Sequence, residues 1–380
     1  MVASMRRSGE RLATALVVGA TALIATFVVV AAPAVASTRR TPAQTPPLPK
    51  AYALVDVDTG AVLAQQDSRS LRPPASTIKL LTALITSQHL TAADVVPISP
   101  LAEGMPARKI NVKAGQSWKY DDLMHSMLMV SANDAAVALA EKVGGGSLDG
   151  YVRIADATAQ RLGLADHPIL NDPAGLDDQF ANKGGDRISA RDLAIVARAV
   201  MARPDLLAIV NTRDYSFTGG DAIGHHLPNH NLFLDLYPGA NGLKTGTTDL
   251  AGHTFVGSAT RNGRTMVAVV FDAVDSYASA GALIDQGFAT PVASEAALDH
   301  LPDVVPDASL PPPTTTTSQT VPIVPAPVKT NSIVDSTAFA ILIFILGLLP
   351  LAALRRRVIA TRNRSYERSY DDDFDGLETY

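Results

Sequence analysis

Strand-like and helix-like patterns are segregated along this chain, and their order constrains the fold more than any other feature. Residues 51–57 alternate as a strand, Asp58-Thr59-Gly60 forms a turn, and residues 61–64 return. Helical periods follow at 76–87, 120–130, 134–143, 148–162 and 189–201. The period then reverts to two at 253–259 and 265–272. These two segments are joined through Arg261-Asn262-Gly263, where Asn-Gly is a strong hairpin signal. Residues 276–288 read as a closing helix. Strands at both ends with helices between them predict one antiparallel sheet built from both ends, flanked by helices, plus a helical lobe. The fold class is therefore α/β of the α+β type, with a cleft between the two lobes as the expected site.

The termini set the compartment. Arg6, Arg7 and Arg11 precede an apolar stretch over residues 12–32, and Ala34-Val35-Ala36 supplies small residues for cleavage after Ala36. Residues 1–36 are expected to be a secretory signal. A second apolar run covers 336–354 and is followed at once by Arg355, Arg356 and Arg357. A bilayer needs roughly 20 such residues, so 333–354 are expected to form a transmembrane helix, with 355–380 as a cytoplasmic tail. The tail carries Asp371-Asp372-Asp373, an acidic run read as solvated. Residues 37–47 form a lead-in linker. Residues 299–332 are rich in Pro and Thr, with Pro311-Pro312-Pro313 and Thr314 to Thr317, and read as an extended stalk. The folded domain is thus expected over 48–298, on the outer side of the cell membrane.

Composition narrows the chemistry. Of the 380 residues, 47% are hydrophobic and 18% charged, as suits a globular domain with membrane segments. A net charge of −5 points to no nucleic-acid partner. With no Cys at all, the domain has neither disulfides nor a thiol nucleophile.

Three short motifs then occur in order: Ser76-Thr77-Ile78-Lys79, Ser131-Ala132-Asn133 and Lys244-Thr245-Gly246. Any one alone is weak. In order, in an exported chain, they define a serine nucleophile with a lysine base. Ser76 opens a predicted helix, where backbone N–H groups are unpaired. Lys79 lies one turn on and returns to the same face. A serine hydroxyl needs a base to become nucleophilic. Lys79 serves if burial beside a second cation, Lys244, lowers its pKa. Ser131 can relay a proton to a leaving amine, and Asn133 can bind a substrate amide carbonyl. Lys244 and Thr245 can bind a carboxylate, and Gly246 lets a peptide approach the strand closely. The N–H of Thr247, with that of Ser76, can form an oxyanion hole. His225, His226 and His230 cluster, but not at a standard zinc spacing. No metal or cofactor is expected.

These residues resemble the low-molecular-weight penicillin-binding proteins, the serine D-alanyl-D-alanine carboxypeptidases. The resemblance covers about residues 48–290. It is carried by Pro74-Ala75-Ser76-Thr77-Ile78-Lys79, Ser131-Ala132-Asn133-Asp134-Ala135-Ala136, Asn171-Asp172-Pro173-Ala174-Gly175-Leu176, Gly242-Leu243-Lys244-Thr245-Gly246-Thr247-Thr248 and Ala251-Gly252-His253. It implies a penicillin-recognising serine transferase/β-lactamase-like fold. It also implies removal of the terminal D-alanine from peptidoglycan stem peptides through a Ser76 acyl-enzyme, with β-lactams as covalent inhibitors.

The pattern departs from the family in several places. The stalk begins where many members carry a further β-rich domain. The membrane segment reads as fully transmembrane rather than amphipathic. No Arg lies near Asp275-Ser276-Tyr277, where members often hold the substrate carboxylate, which leaves Arg261 or Arg264 as substitutes, or Lys244 and Thr245 as sufficient by themselves. A class A β-lactamase needs a Glu for deacylation, and this chain has none between Glu141 and Glu295. A D,D-endopeptidase would use the same residues. The non-enzyme alternative is a membrane-tethered cell-wall binding module or sensor.

Overall fold

The structure, a computed structural model, describes residues 47–304 other than 178. The expected signal, transmembrane helix, cytoplasmic tail and nearly all of the stalk lie outside the described residues. No described helix is long and apolar enough to cross a membrane.

The elements in order are β1 (Ala51–Asp56), β2 (Val62–Gln66), α1 (Lys79–His89), β3 (Val95–Pro97), α2 (Pro100–Glu103), β4 (Ser117–Lys119), α3 (Tyr120–Met129), α4 (Asn133–Val143) and α5 (Leu148–Leu162). There follow α6 (Ala190–Met201), α7 (Pro204–Val210), β5 (Asp214–Thr218), β6 (Gly224–Pro228), α8 (Phe233–Leu236), β7 (Ala240–Thr248), β8 (Gly252–Arg261), β9 (Arg264–Ala273) and α9 (Ser276–Ala289). The main sheet has five strands in the order β2-β1-β9-β8-β7. All its neighbours are antiparallel, and the β1–β9 pairing joins strands from the two ends of the domain. This is the sheet that the segregated periods predict.

Period-two alternation sets the two faces. On β9, Val267, Val269 and Phe271 enter the larger core with α1 and α6, whereas Met266, Ala268 and Val270 enter a smaller one with Leu283 and Ile284 of α9. Burying each Val or Ile side chain contributes about 1.5–3 kcal/mol. The β8–β9 loop is Asn262-Gly263, and both residues have positive φ (53° and 76°), as a two-residue hairpin turn requires. Helix α5 starts at Ser147, whose side chain accepts from Gly150 N, and stops at the left-handed Gly163.

The chain stays on the domain slightly past residue 298. Leu301 N donates to Gly60 O (2.8 Å), and Arg191 pairs with Asp299 (2.6 Å). A buried ion cluster fastens this end. Arg264 on β9 pairs with Asp56 on β1 (2.6 Å) and with Glu295, and donates to the carbonyls of Gly287 and Thr290. Arg264→Met leaves two buried carboxylates without their cation. We expect a loss of about 3–5 kcal/mol in urea unfolding, and an unchanged midpoint would contradict the cluster's role.

Candidate active site

Ser76 sits where three segments converge. Pro74 precedes a 3-10 turn over Ala75–Ile78 that runs into α1, so Ser76 lies one turn before the α-helix rather than at its cap. Ala75 adopts φ +48°, a strained value for a residue with a Cβ. Thr77 Oγ1 and Thr254 Oγ1 both donate to Pro74 O (2.6 and 2.9 Å), fixing the turn against β8. Two glycines permit the approach. A Cβ on Gly246 would lie 2.9 Å from Ser76 N, and one on Gly175 would lie 2.0 Å from Ala75 O. The Ser76 backbone nitrogen is thereby held against β7, beside Thr247.

Lys79 is completely buried. Its Nζ lies 2.8 Å from Ser76 Oγ, 2.7 Å from Asn133 Oδ1 and 2.6 Å from Ala174 O. Burial lowers its pKa to about 7, opposed by the nearby charges of Asp172, Asp134 and Asp186. Desolvation is thus the cause of the lowering, in place of the second cation that sequence alone suggests. A neutral amine keeps two hydrogens and one lone pair. Asn133 Oδ1 and Ala174 O can accept the two hydrogens, which leaves the lone pair facing the Ser76 hydroxyl. That is the geometry of a general base.

Ser131 joins α3 to α4 with φ +63° and lines the same cleft. The hydrogen bonds of Lys79 Nζ go to Ser76, Asn133 and Ala174 rather than to Ser131. Asn133 is more committed than expected. While Oδ1 accepts from Lys79, Nδ2 donates to Pro106 O (3.1 Å) and Ala107 O (3.0 Å). The next residue, buried Asp134, accepts from the N–H groups of Ile110 and Val112. Asn133 here orients Lys79 and ties the 106–112 loop to the second motif.

Among the described residues β7 is the outer strand of the sheet, and one row of its backbone groups has no strand partner there. An extended peptide can pair there. Thr247 and Thr248 line the cleft, with Thr247 Oγ1 3.1 Å from His253 Nδ1. Lys244 lies deeper, 1% exposed, and donates to Thr245 O (3.0 Å). Burial, then the charges of Lys79 and Arg108, push its pKa well below the usual lysine value. Ser76, Ser131, Asn133, Arg108, His230 and Thr247 share one cleft of about 250 Å³.

The segment from Asn171 to Leu176, quoted above for the resemblance, supplies a group whose role the side chains do not reveal, the Ala174 carbonyl. Asp172 Oδ1 accepts from the N–H groups of Ala174, Gly175 and Leu176, and Oδ2 from Asn182 N (2.9 Å). Buried Asp186 accepts from the N–H groups of Asn171 and Asp172 through one oxygen. Burial and the Asp172 charge push the Asp186 pKa well up, toward the neutral acid. The two carboxyls therefore respond differently to amidation. Asp172→Asn sets an NH2 group against the Asn182 N–H and removes a charge that raises the Lys79 pKa. It should lower the acylation rate at least tenfold (about 1–3 kcal/mol) and move the acid limb of the pH profile to lower pH. Asp186→Asn keeps the accepting oxygen and should stay near wild type in rate, its acid limb moving the same way because a nearby charge is lost. Equal effects of the two variants on rate would contradict this geometry.

The remaining candidates fall elsewhere. His225 pairs with Asp221 (3.1 Å) and stacks on Phe217, while His226 pairs with Asp214 (3.3 Å). His230 alone reaches the cleft, where burial, Arg108 and Lys244 push its pKa down to about 3. Among the described residues, no group of three His, Cys, Asp or Glu side chains is placed to hold a metal ion. Neither arginine considered as a carboxylate receptor is at the cleft. Arg261 pairs with Asp285 (2.9 Å) over the Tyr237 and Phe288 rings, and Arg264 is held in its buried cluster.

A sheet fed from both ends of the domain, with Ser76 in contact with a buried Lys79 between it and a helical lobe, defines a serine acyl-transfer enzyme. The chain belongs to the D-alanyl-D-alanine carboxypeptidase family, Peptidase_S11, which it matches over residues 39–275. It is 36% identical over 259 residues to the D-alanyl-D-alanine carboxypeptidase DacB2 of Mycobacterium tuberculosis, covering 65% of this chain and 86% of that protein. It is 31% identical to DacF of Bacillus subtilis, with coverage of 59% and 57%. Among solved structures, an evolved penicillin-binding protein homolog from M. tuberculosis superposes with a TM-score of 0.62 at 32% identity, covering 69% of this chain and 100% of that one. The mixed α/β penicillin-binding fold is therefore the fold of this domain.

Proposed function

We propose that this serine hydrolase removes the terminal D-alanine from peptidoglycan stem peptides through a Ser76 acyl-enzyme. The observation that carries this reading is the 2.8 Å contact between Ser76 Oγ and a buried Lys79 whose pKa is lowered to about 7. The stem peptide pairs with the outer row of β7. Neutral Lys79 takes the Ser76 proton as Oγ bonds to the carbonyl carbon of the penultimate D-alanine. The oxyanion is received by the N–H groups of Ser76 and Thr247. Ser131, on the cleft wall, relays the proton taken up by Lys79 to the leaving nitrogen as the C–N bond breaks, which restores the neutral amine and the Ser131 hydroxyl. Water then cleaves the Ser76 ester, releasing the trimmed peptide and restoring the hydroxyl.

The same reading covers location. Apolar segments at both ends, the basic cluster at Arg355 to Arg357 and the Pro/Thr-rich stretch support a domain tethered on the cell-wall side of the membrane. Protease added to intact cells should remove the domain and spare the tail.

Deacylation distinguishes this reading from a β-lactamase. No described cleft-lining residue is Asp or Glu, so among the described residues no carboxylate lines the cleft to activate water against a bulky acyl group. Labelled penicillin should form a long-lived adduct on the wild type and none on Ser76→Ala. Rapid hydrolysis of penicillin would contradict the assignment.

A further inference from the structure

A carboxypeptidase must recognise a free C-terminal carboxylate. Residues 275–277 carry no Arg, and Arg261 and Arg264 are held in ion pairs away from the cleft. Recognition then falls on β7, where Lys244 and Thr245 are the first groups to consider. The strand carries another hydroxyl. Thr245 and Thr247 are half-buried on one face of β7, whereas Lys244, Gly246 and Thr248 alternate to the other face and are buried. Two residues along a strand span roughly 7 Å, so a carboxylate between the two threonines can take a hydroxyl on each oxygen. In the substrate, only the amide nitrogen and one Cα separate the scissile carbon from the carboxylate. A scissile carbonyl received at the Thr247 N–H therefore brings the carboxylate within reach of the Thr247 side chain.

The Thr247 hydroxyl has a fixed neighbour. Thr247 and His253 stand directly opposite each other across the β7–β8 ladder, so their side chains share one face of the sheet. His253 Nδ1 lies 3.1 Å from Thr247 Oγ1. The turn between the strands sets this pairing. Ala251 N donates to Thr248 Oγ1 (3.1 Å). Gly252 adopts φ +64°, and a Cβ there would meet Asp272 Oδ1 at 2.6 Å, so only glycine lets the chain enter β8 in this register.

A hydroxyl has one hydrogen to give. If the ring nitrogen accepts it, Oγ1 turns lone pairs toward the cleft, and these repel a carboxylate. If Nδ1 carries a hydrogen and donates to Oγ1, the hydroxyl hydrogen is released toward the cleft. The bonds from Nδ1 to Oγ1 and from Oγ1 to a carboxylate then run in one direction, each polarising the other.

We propose that His253 is a positioning residue for carboxylate recognition: it donates from Nδ1 to Thr247 Oγ1 and turns that hydroxyl's hydrogen toward the substrate's terminal carboxylate. The proposal rests on the carboxypeptidase reading and deepens it.

The test compares a stem pentapeptide ending in D-alanine with its C-terminal carboxamide. Wild type should prefer the acid. His253→Phe keeps a ring of similar size without the donor. It should lower kcat/KM for the acid about 3- to 10-fold, through KM rather than kcat, and reduce the acid-to-amide ratio. His253→Asn places an N–H near the Nδ1 position and should keep most of the preference. Thr247→Val removes the hydroxyl, and His253→Phe added to it should cost nothing more, because His253 acts only through that hydroxyl. A thioester of the same acyl group, with an uncharged leaving group, should acylate Ser76 equally in wild type and His253→Phe. An unchanged acid-to-amide ratio in His253→Phe overturns the inference while the carboxypeptidase reading stands. So does a loss in His253→Asn as large as in His253→Phe, or additive losses in the double variant. Slowed thioester acylation in His253→Phe makes His253 a support of the Ser76 site and overturns the assignment. A wild type that takes the thioester but neither peptide fails at the carboxypeptidase reading itself, and the inference falls with it.

Discussion

Lys79→Met should slow acylation of Ser76 by about 10²–10⁴-fold, the range for loss of a positioned general base. Methionine fills a similar volume without a proton acceptor. It also leaves Asn133 Oδ1 and Ala174 O without the donor that now reaches both within 2.7 Å. The sign of the pH dependence follows from the buried amine. In the proposed role only neutral Lys79 accepts the serine proton, and its pKa is lowered to about 7. Below that value the ammonium form dominates and acylation slows tenfold per pH unit; above it the rate levels. Stopped-flow acylation by a chromogenic β-lactam between pH 5 and 9 reads this directly. In Lys79→Met the limb near 7 should vanish. A flat wild-type profile, or a limb near the ordinary lysine value, would contradict the role given to burial.

The second large effect is at Gly246. A Cβ there would meet Thr254 Oγ1 at 2.4 Å, Ser76 N at 2.9 Å and Ala75 Cβ at 3.1 Å. None of these can retreat freely. Thr254 Oγ1 is bonded to Pro74 O, and Ala75 already holds positive φ. The added methyl must therefore displace the Ser76 turn from β7, moving the proposed nucleophile and the proposed oxyanion donor together. A shift of about 1 Å can cost on the order of 10²-fold in rate. Gly246→Ala should lose that much kcat/KM with most of its thermal stability kept, because the clash is at the cleft rather than in the core. Full activity would mean that the turn tolerates displacement. A collapse in melting temperature would mean that Gly246 serves folding instead.

Much of this arrangement is legible in the chain, for identifiable reasons. The hairpin at Asn262-Gly263 and helix α5 carry local signals, a turn dipeptide and a serine-to-glycine frame. The sheet built from both ends follows from the order of periods. Ser76 and Lys79 are one turn apart, so their contact is also local. The missed elements lack such signals. β3 and β4 are three residues each, and β5 and β6 are mostly exposed, so alternation has little apolar contrast to show. Ala174 acts through its carbonyl, which any residue possesses. The grip of Asn133 on Pro106 and Ala107 runs through backbone oxygens in the same way. Arg264 finds Asp56 on a strand from the opposite end of the domain. Its surroundings, not its identity, remove it from the cleft.

The central claim is that Ser76 carries a carboxypeptidase reaction. Its most direct test is release of free D-alanine from a stem pentapeptide by the purified protein, beside Ser76→Ala. The account predicts steady release by wild type, none by the variant, and no requirement for a cross-linked substrate. Release that persists in Ser76→Ala would contradict the assigned nucleophile. No release from the pentapeptide, with cleavage of cross-linked peptide instead, would contradict the carboxypeptidase reading in favour of an endopeptidase.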